Sequence, residues 1–89
     1  MIERRVQIVN KLGLHARAAA KFVRTTSAFT SKIIVQKNGI EVDGKSILGI
    51  LMLVASRGTY IILRVNGQDE KAAIDAVEAL IASRFGERE

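Results

Sequence analysis

SKIIVQKNGIEV, residues 31–42, decides the architecture. Ile33, Ile34 and Val35 form one β-type run, Ile40-Glu41-Val42 a second, and Asn38-Gly39 lies between them. Asn-Gly supplies the two positive-φ residues that a tight hairpin turn demands, the strongest short-range hairpin signal there is. Residues 31–37 and 40–42 are therefore expected to pair as antiparallel strands. Strands that follow one another directly break the strict β/α alternation of a parallel sheet.

Upstream, residues 4–9 alternate as a strand, with Val6 and Ile8 on one face. Residues 11–14 form a loop containing Gly13. Residues 16–26 read as a helix, because Ala18, Ala19 and Ala20 are strong helix formers. Ala19, Phe22, Val23 and Thr26 share its apolar face. Arg17, Lys21 and Arg24 follow i, i+4, i+7 spacing and make a basic stripe. Downstream, residues 43–46 form a turn in which Ser46 is placed as an N-cap. Residues 47–55 are apolar all round, so periodicity cannot separate helix from buried strand. Leu48, Leu51 and Met52 favour a short helix, broken at 56–58. Residues 60–65 read as a strand with Ile61, Leu63 and Val65 inward. Residues 69–85 make the clearest helix, with Ala73, Ile74, Val77, Leu80 and Ile81 on its apolar face. Asp69 and Glu70 suit its first turn and Arg84 its last, with Gly86 as the stop. The order β-α-β-β-α-β-α gives an α+β fold: an antiparallel sheet with helices on one face.

A chain of 89 residues implies one domain. With 48% hydrophobic and only 4% aromatic residues, its core must be aliphatic. No cysteine is present, which removes disulfides, thiol nucleophiles and thiolate metal sites together. One histidine leaves a zinc site only carboxylates for its other ligands, so neither metal nor cofactor is expected. The longest apolar run, residues 47–55, is far short of the ~18 residues of a membrane span, and the N-terminal apolar stretch is too short for a secretion signal. A cytoplasmic protein without membrane insertion is the expectation. The net charge of +5 is uneven. Residues 1–45 hold nine Lys/Arg against three acids and residues 46–89 five against six, so the basic half faces an acidic partner, a phosphate or a nucleic acid.

That basic half contains the single histidine, His15, one residue before the first helical turn. The first amides of a helix lack internal partners and point outward. Together with the dipole they favour an anion, and Arg17 adds a permanently charged, planar donor. A neutral imidazole is a nucleophile, so His15 is placed to take a phosphoryl group at a site ready to hold it. The plain alternative is a histidine that only caps the helix. No carboxylate lies near it in sequence, so a catalytic triad is not expected.

NKLGLHARAAAKFV, residues 10–23, resembles the active-site motif of the HPr family, the histidine-containing phosphocarriers of the phosphoenolpyruvate-dependent phosphotransferase system. GKSILGILML, residues 44–53, is similar to the regulatory-serine segment of the same family. The resemblance spans essentially the whole chain and implies an HPr-like open-faced β-sandwich: a four-stranded antiparallel sheet with three helices on one face, as one HPr domain over 1–89. It also implies that His15 accepts phosphoryl on Nδ1 from phosphorylated enzyme I and passes it to enzyme IIA domains. Arg17 then stabilises the transferring group, while the backbone amides of Ala16 and Arg17 hold its oxygens. The protein is on this reading a carrier, not an enzyme. Ser46 becomes the regulatory site of a bifunctional HPr kinase/phosphorylase. Ala20, Lys21, Arg24, Lys45, Ile47, Leu48, Leu51 and Met52 make the partner surface, an apolar centre with a charged rim. The carrier is expected to be a monomer that forms transient complexes. Two positions depart from the family pattern: Ala18 stands where many members have proline, and Leu12 where many have a polar residue. The motif fits both the sugar-transport branch and the nitrogen-related NPr branch. Two other classes compete. A nucleic-acid-binding module would use the basic stripe, but it lacks aromatic stacking platforms, with Phe22 and Phe29 expected in the core and only Tyr60 left. A small ligand-binding regulatory domain needs a pocket constellation that the sequence does not contain.

Overall fold

A computed structural model describes residues 1–89. Strand β1 (Ile2–Gln7) leads to helix α1 (Ala16–Thr26), then β2 (Lys32–Lys37), β3 (Ile40–Asp43), α2 (Ile47–Met52), β4 (Tyr60–Asn66) and α3 (Glu70–Ala82), followed by a short 3₁₀ turn (Arg84–Gly86). The sheet runs β1-β4-β2-β3, antiparallel throughout. Asn38 and Gly39 both take positive φ (50° and 81°), as a type I′ hairpin requires, and they set Lys37 opposite Ile40.

Alternation along each strand gives the sheet two unlike faces. Ile33 and Val35 of β2, with Ile61, Leu63 and Val65 of β4, point inward and are buried. They meet Ala18, Ala19 and Phe22 of α1, Ile50 of α2, and Ala73, Ile74, Val77 and Ile81 of α3 in one core. The outer face is mixed, with Ile34, Ile62 and Tyr60 among charged side chains. There the Arg5 guanidinium lies 3.8 Å over the Tyr60 ring, and Arg64 pairs with Glu41. All three helices thus cover one side of an open sheet, as the α+β reading expects.

The structure corrects several boundaries. The first strand is Ile2–Gln7 rather than 4–9; Ile8 is buried just beyond it. Ala18 joins Ala19 in the core, whereas Val23 is only half-buried. Helix α2 stops at Met52 and does not reach 55. Val54 turns to φ 49°, and Lys37 Nζ donates to the carbonyls of Leu53 (3.0 Å) and Val54 (2.9 Å), holding the chain in that turn. Helix α3 starts at Glu70 because the Asp69 carboxylate faces another loop. It accepts the amides of Thr30 and Ser31, each at 2.9 Å, and the Ser31 hydroxyl. The Ser31 hydroxyl, then the Thr30 amide, lower the Asp69 pKa to about 2 despite the opposing effect of burial. At its other end α3 stops at Ala82, so Arg84 is not in its last turn. Arg84 and Phe85 adopt left-handed φ (59° and 55°), and the chain doubles back to seat Phe85 in the core with no exposed surface.

Candidate functional site

His15 is the N-cap of α1, with extended backbone (φ −72°, ψ 178°). Its Nδ1 accepts the Arg17 amide at 3.2 Å, and its carbonyl accepts the Ala19 amide at 2.8 Å. The loop before it is shaped by close backbone approach. Gly13 has φ +66°, and a Cβ there would lie 2.8 Å from Ser56 Cα and collide with the Ala55 carbonyl. That approach lets Leu14 N–H donate to the same carbonyl at 2.9 Å. Asn10 is fully buried beneath the loop and donates to the Gly13 carbonyl at 2.8 Å.

The ring's other nitrogen has a partner that sequence reading missed. His15 Nε2 contacts Glu87 Oε2, from a residue 72 positions away. Glu87 Oε1 accepts from Asn10 Nδ2 at 3.0 Å. No carboxylate lies near His15 along the chain, but the fold brings one in. Burial raises the Glu87 pKa, but hydrogen bonds from Asn10 and His15 and the nearby Lys21 ammonium outweigh it, so the group lies below the ordinary glutamate value. The C-terminal segment is tied down around this contact. Lys21 Nζ donates to the Phe85 carbonyl at 2.6 Å. Lys11 N–H donates to the Glu89 carbonyl, and Lys11 Nζ sits 3.2 Å from the Glu89 carboxylate. An open cavity of about 640 Å³ results, with His15, Ala16 and Arg17 on one side and Glu87, Arg88 and Glu89 on the other.

The remaining expected residues divide. Arg17 and Arg24 are exposed, but Lys21 is bound to the C-terminal turn, so the basic stripe is interrupted. Lys45 likewise donates its Nζ to the Phe29 carbonyl at 2.6 Å. Ser46 is the N-cap of α2, its hydroxyl accepting the Gly49 amide at 3.1 Å. Ile47, Leu48 and Met52 are exposed at 44%, 74% and 71%. Leu51 is half-buried against the core, and Ala20 is half-buried too. Two apolar residues not expected on this surface, Leu12 and Val54, are also exposed. Leu12, Leu14, His15, Leu51 and Val54 line a smaller cavity between the histidine loop and the end of α2, so apolar surface and imidazole adjoin. Tyr60 lies under Arg5 on the outer sheet face, across the sheet from α1. The basic stripe of α1 and the one exposed aromatic ring therefore lie on opposite sides of the sheet, so they do not form the joint surface of a single-strand-binding module.

Residues 2–83 match the protein family described as PTS HPr component phosphorylation site. The phosphocarrier protein HPr of Cupriavidus necator is 49% identical over 89 residues, covering 100% of both chains. The crystal structure of HPr-C-His from Thermoanaerobacter tengcongensis superposes with a TM-score of 0.96 at 48% identity, covering 100% of each chain. An HPr dimer from the same organism gives 0.79 at 49% identity, over 98% of this chain and 100% of that one.

Proposed function

The chain belongs to the HPr family of phosphocarriers in the phosphotransferase system, and on that premise we propose that His15 is the residue that carries the phosphoryl group. A carrier of this family is not an enzyme; it is a stoichiometric stop between a donor and an acceptor. The observation that carries the assignment is the N-cap geometry. Nδ1 lies against the Arg17 amide at the first turn of α1 and beside the open cavity. As Nδ1 attacks it releases the Arg17 amide, which meets the incoming oxygens beside the amide of Ala16, with the Arg17 side chain free to close over them. Phosphoryl transfer consists largely of positioning and charge stabilisation, so a docked donor suffices without metal at the histidine.

The donor on this reading is phosphorylated enzyme I and the acceptors are enzyme IIA domains, in a sugar-transport or nitrogen-regulatory branch. Their docking surface is the exposed apolar set Ile47, Leu48 and Met52, extended by Leu12 and Val54 and rimmed by Arg17 and Arg24. Lys21, Lys45, Ala20 and Leu51 contribute less, since each is tied or half-buried. The unit is one HPr domain over 1–89, working in the cytoplasm as a monomer with transient contacts. No helix is long and apolar enough to cross a membrane. The test is mass spectrometry after incubation with enzyme I, phosphoenolpyruvate and Mg²⁺. One acid-labile phosphoryl group on the His15 peptide is the expected gain, and a folded chain that stays unmodified beside a competent control HPr overturns the assignment.

Ser46 is the regulatory site on the same reading, modified by an HPr kinase/phosphorylase. Its hydroxyl stands at the edge of the exposed apolar turn. A phosphate there adds about −1.5 to −2 charges to a surface whose rim is cationic. Regulation is then a change of charge at the dock without a change of fold. Ser46→Asp is expected to slow phosphoryl acceptance from enzyme I by about tenfold, through KM, with the melting temperature nearly unmoved, since aspartate also caps helices. Stopped-flow transfer with unchanged KM removes the electrostatic account.

A further inference from the structure

We propose that Glu87 is a positioning residue for phosphoryl transfer, holding the His15 proton on Nε2 and balancing the ring's positive charge once Nδ1 is phosphorylated. The inference rests on the reading of His15 as acceptor and extends it to a second residue. It begins with the two ring nitrogens. Nδ1 accepts an amide hydrogen from Arg17 and so carries no proton. In a neutral ring the proton is then on Nε2, where it meets Glu87 Oε2. A carboxylate at this position selects the tautomer and fixes the ring plane, as second partners do for functional histidines elsewhere.

The glutamate is itself held. Its other oxygen accepts from Asn10, a side chain with no exposed surface that also clamps the Gly13 carbonyl. One buried amide thus ties the acceptor loop to the glutamate. Behind Glu87, Phe85 is sunk in the core and Lys21 grips its carbonyl; ahead of it, Lys11 holds Glu89. A tail kept in place at both ends is a built arm, not a frayed terminus.

The reaction balances without moving a proton. The Nδ1 lone pair gives up the Arg17 amide and attacks phosphorus, and the bond from phosphorus to the donor breaks with its electrons leaving on the donor. The product ring bears phosphoryl on Nδ1 and hydrogen on Nε2, and carries a positive charge that Glu87 faces. Onward transfer reverses these steps, and the ring departs as neutral imidazole with its proton still on Nε2. A protonated ring is the better leaving group, so the carboxylate keeps the carrier poised to donate. The other charges at this site are the cations Lys11, Arg17, Lys21 and Arg88 and the anion Glu89. Of the two acids at the site, Glu87 and Glu89, only Glu87 touches the ring.

The test compares the native chain with Glu87→Gln and Glu87→Asp. Nitrogen-15 NMR reads the tautomer of unphosphorylated His15, and the rate of phospho-His15 hydrolysis is followed against pH. The native ring is expected in the Nε2–H form, with a larger share of the Nδ1–H form in Glu87→Gln. The hydrolysis profile of Glu87→Gln should move about one unit to lower pH, a tenfold change in proton concentration. Glu87→Asp should restore part of that shift. Phosphorylation of His15 in all three chains with superimposable tautomer shifts and pH profiles overturns the role of Glu87 and leaves the carrier reading intact. Failure of the native chain to take phosphoryl overturns the carrier reading, and this inference with it.

Discussion

His15→Ala is expected to abolish phosphorylation by enzyme I entirely while leaving the fold in place. The chain has no second histidine, so no other imidazole is available to take the phosphoryl group. The structural loss is confined to the start of α1. The Arg17 amide loses its Nδ1 acceptor, at a cost of about 1 kcal/mol for an N-cap replaced by alanine. The backbone bond from Ala19 N–H to the carbonyl of residue 15 does not depend on the side chain and persists. Glu87 loses its ring partner but keeps Asn10 and has access to water. Circular dichroism should therefore give a helix content equal to that of the native chain, and mass spectrometry no added phosphoryl group. Retained phosphorylation in this variant places the acceptor elsewhere.

Phe85→Ala is expected to destabilise the chain strongly. Phe85 lies past the end of α3, in a segment that terminal position alone marks as dispensable, yet it is fully buried. Truncating a buried phenylalanine costs about 3–5 kcal/mol. Against a total of about 5–15 kcal/mol for a natural domain, that removes a large share of the folding free energy. Urea denaturation should show the midpoint falling with the slope nearly constant. The loss should also reach the site, because the tail that carries Glu87 is anchored through this ring. The pH profile of phospho-His15 hydrolysis, measured well below the new midpoint, should resemble that of Glu87→Gln. A midpoint unchanged from the native chain contradicts the packing described above.

The parts of this fold that were legible in sequence are those whose causes are local. Helix α1 runs over Ala16–Thr26 as expected, because its N-cap, alanine run and apolar face lie within one window. The β2–β3 hairpin follows from two turn residues, and the inward face of β4 from period-two alternation. The errors came from side chains that bind backbone far away. Nothing near Val54 announces that Lys37 will hold its carbonyl and end α2. At the end of α3, spacing misled: Ile74, Val77, Ile81 and Phe85 follow one another by three, four and four residues, so the helical period extends to Phe85. The chain reaches the core instead through two left-handed residues. The site divides in the same way. His15, Arg17 and Ser46 stand at helix starts that a motif marks, whereas Glu87 belongs to the site only because the fold returns the C-terminus to α1. An aromatic residue followed by glycine and charged residues was the one signal that could have suggested this return.

The strand order sets the pace at which this molecule assembles. Only β2 and β3 are neighbours both in the chain and in the sheet; β4 joins β2 across α2, and β1 pairs with β4 so that Ile2 faces Val65. A hairpin closes in about 1–10 μs, but the β1–β4 pairing must first pay the loop entropy of nearly the whole intervening chain. Non-local pairings of this kind slow folding toward the millisecond-to-second range. With no proline in the sequence, no peptide-bond isomerisation adds a slower wait. Docking of the first-made segment is thus the late event: β1 leaves the ribosome first and finds its place only after β4 has emerged.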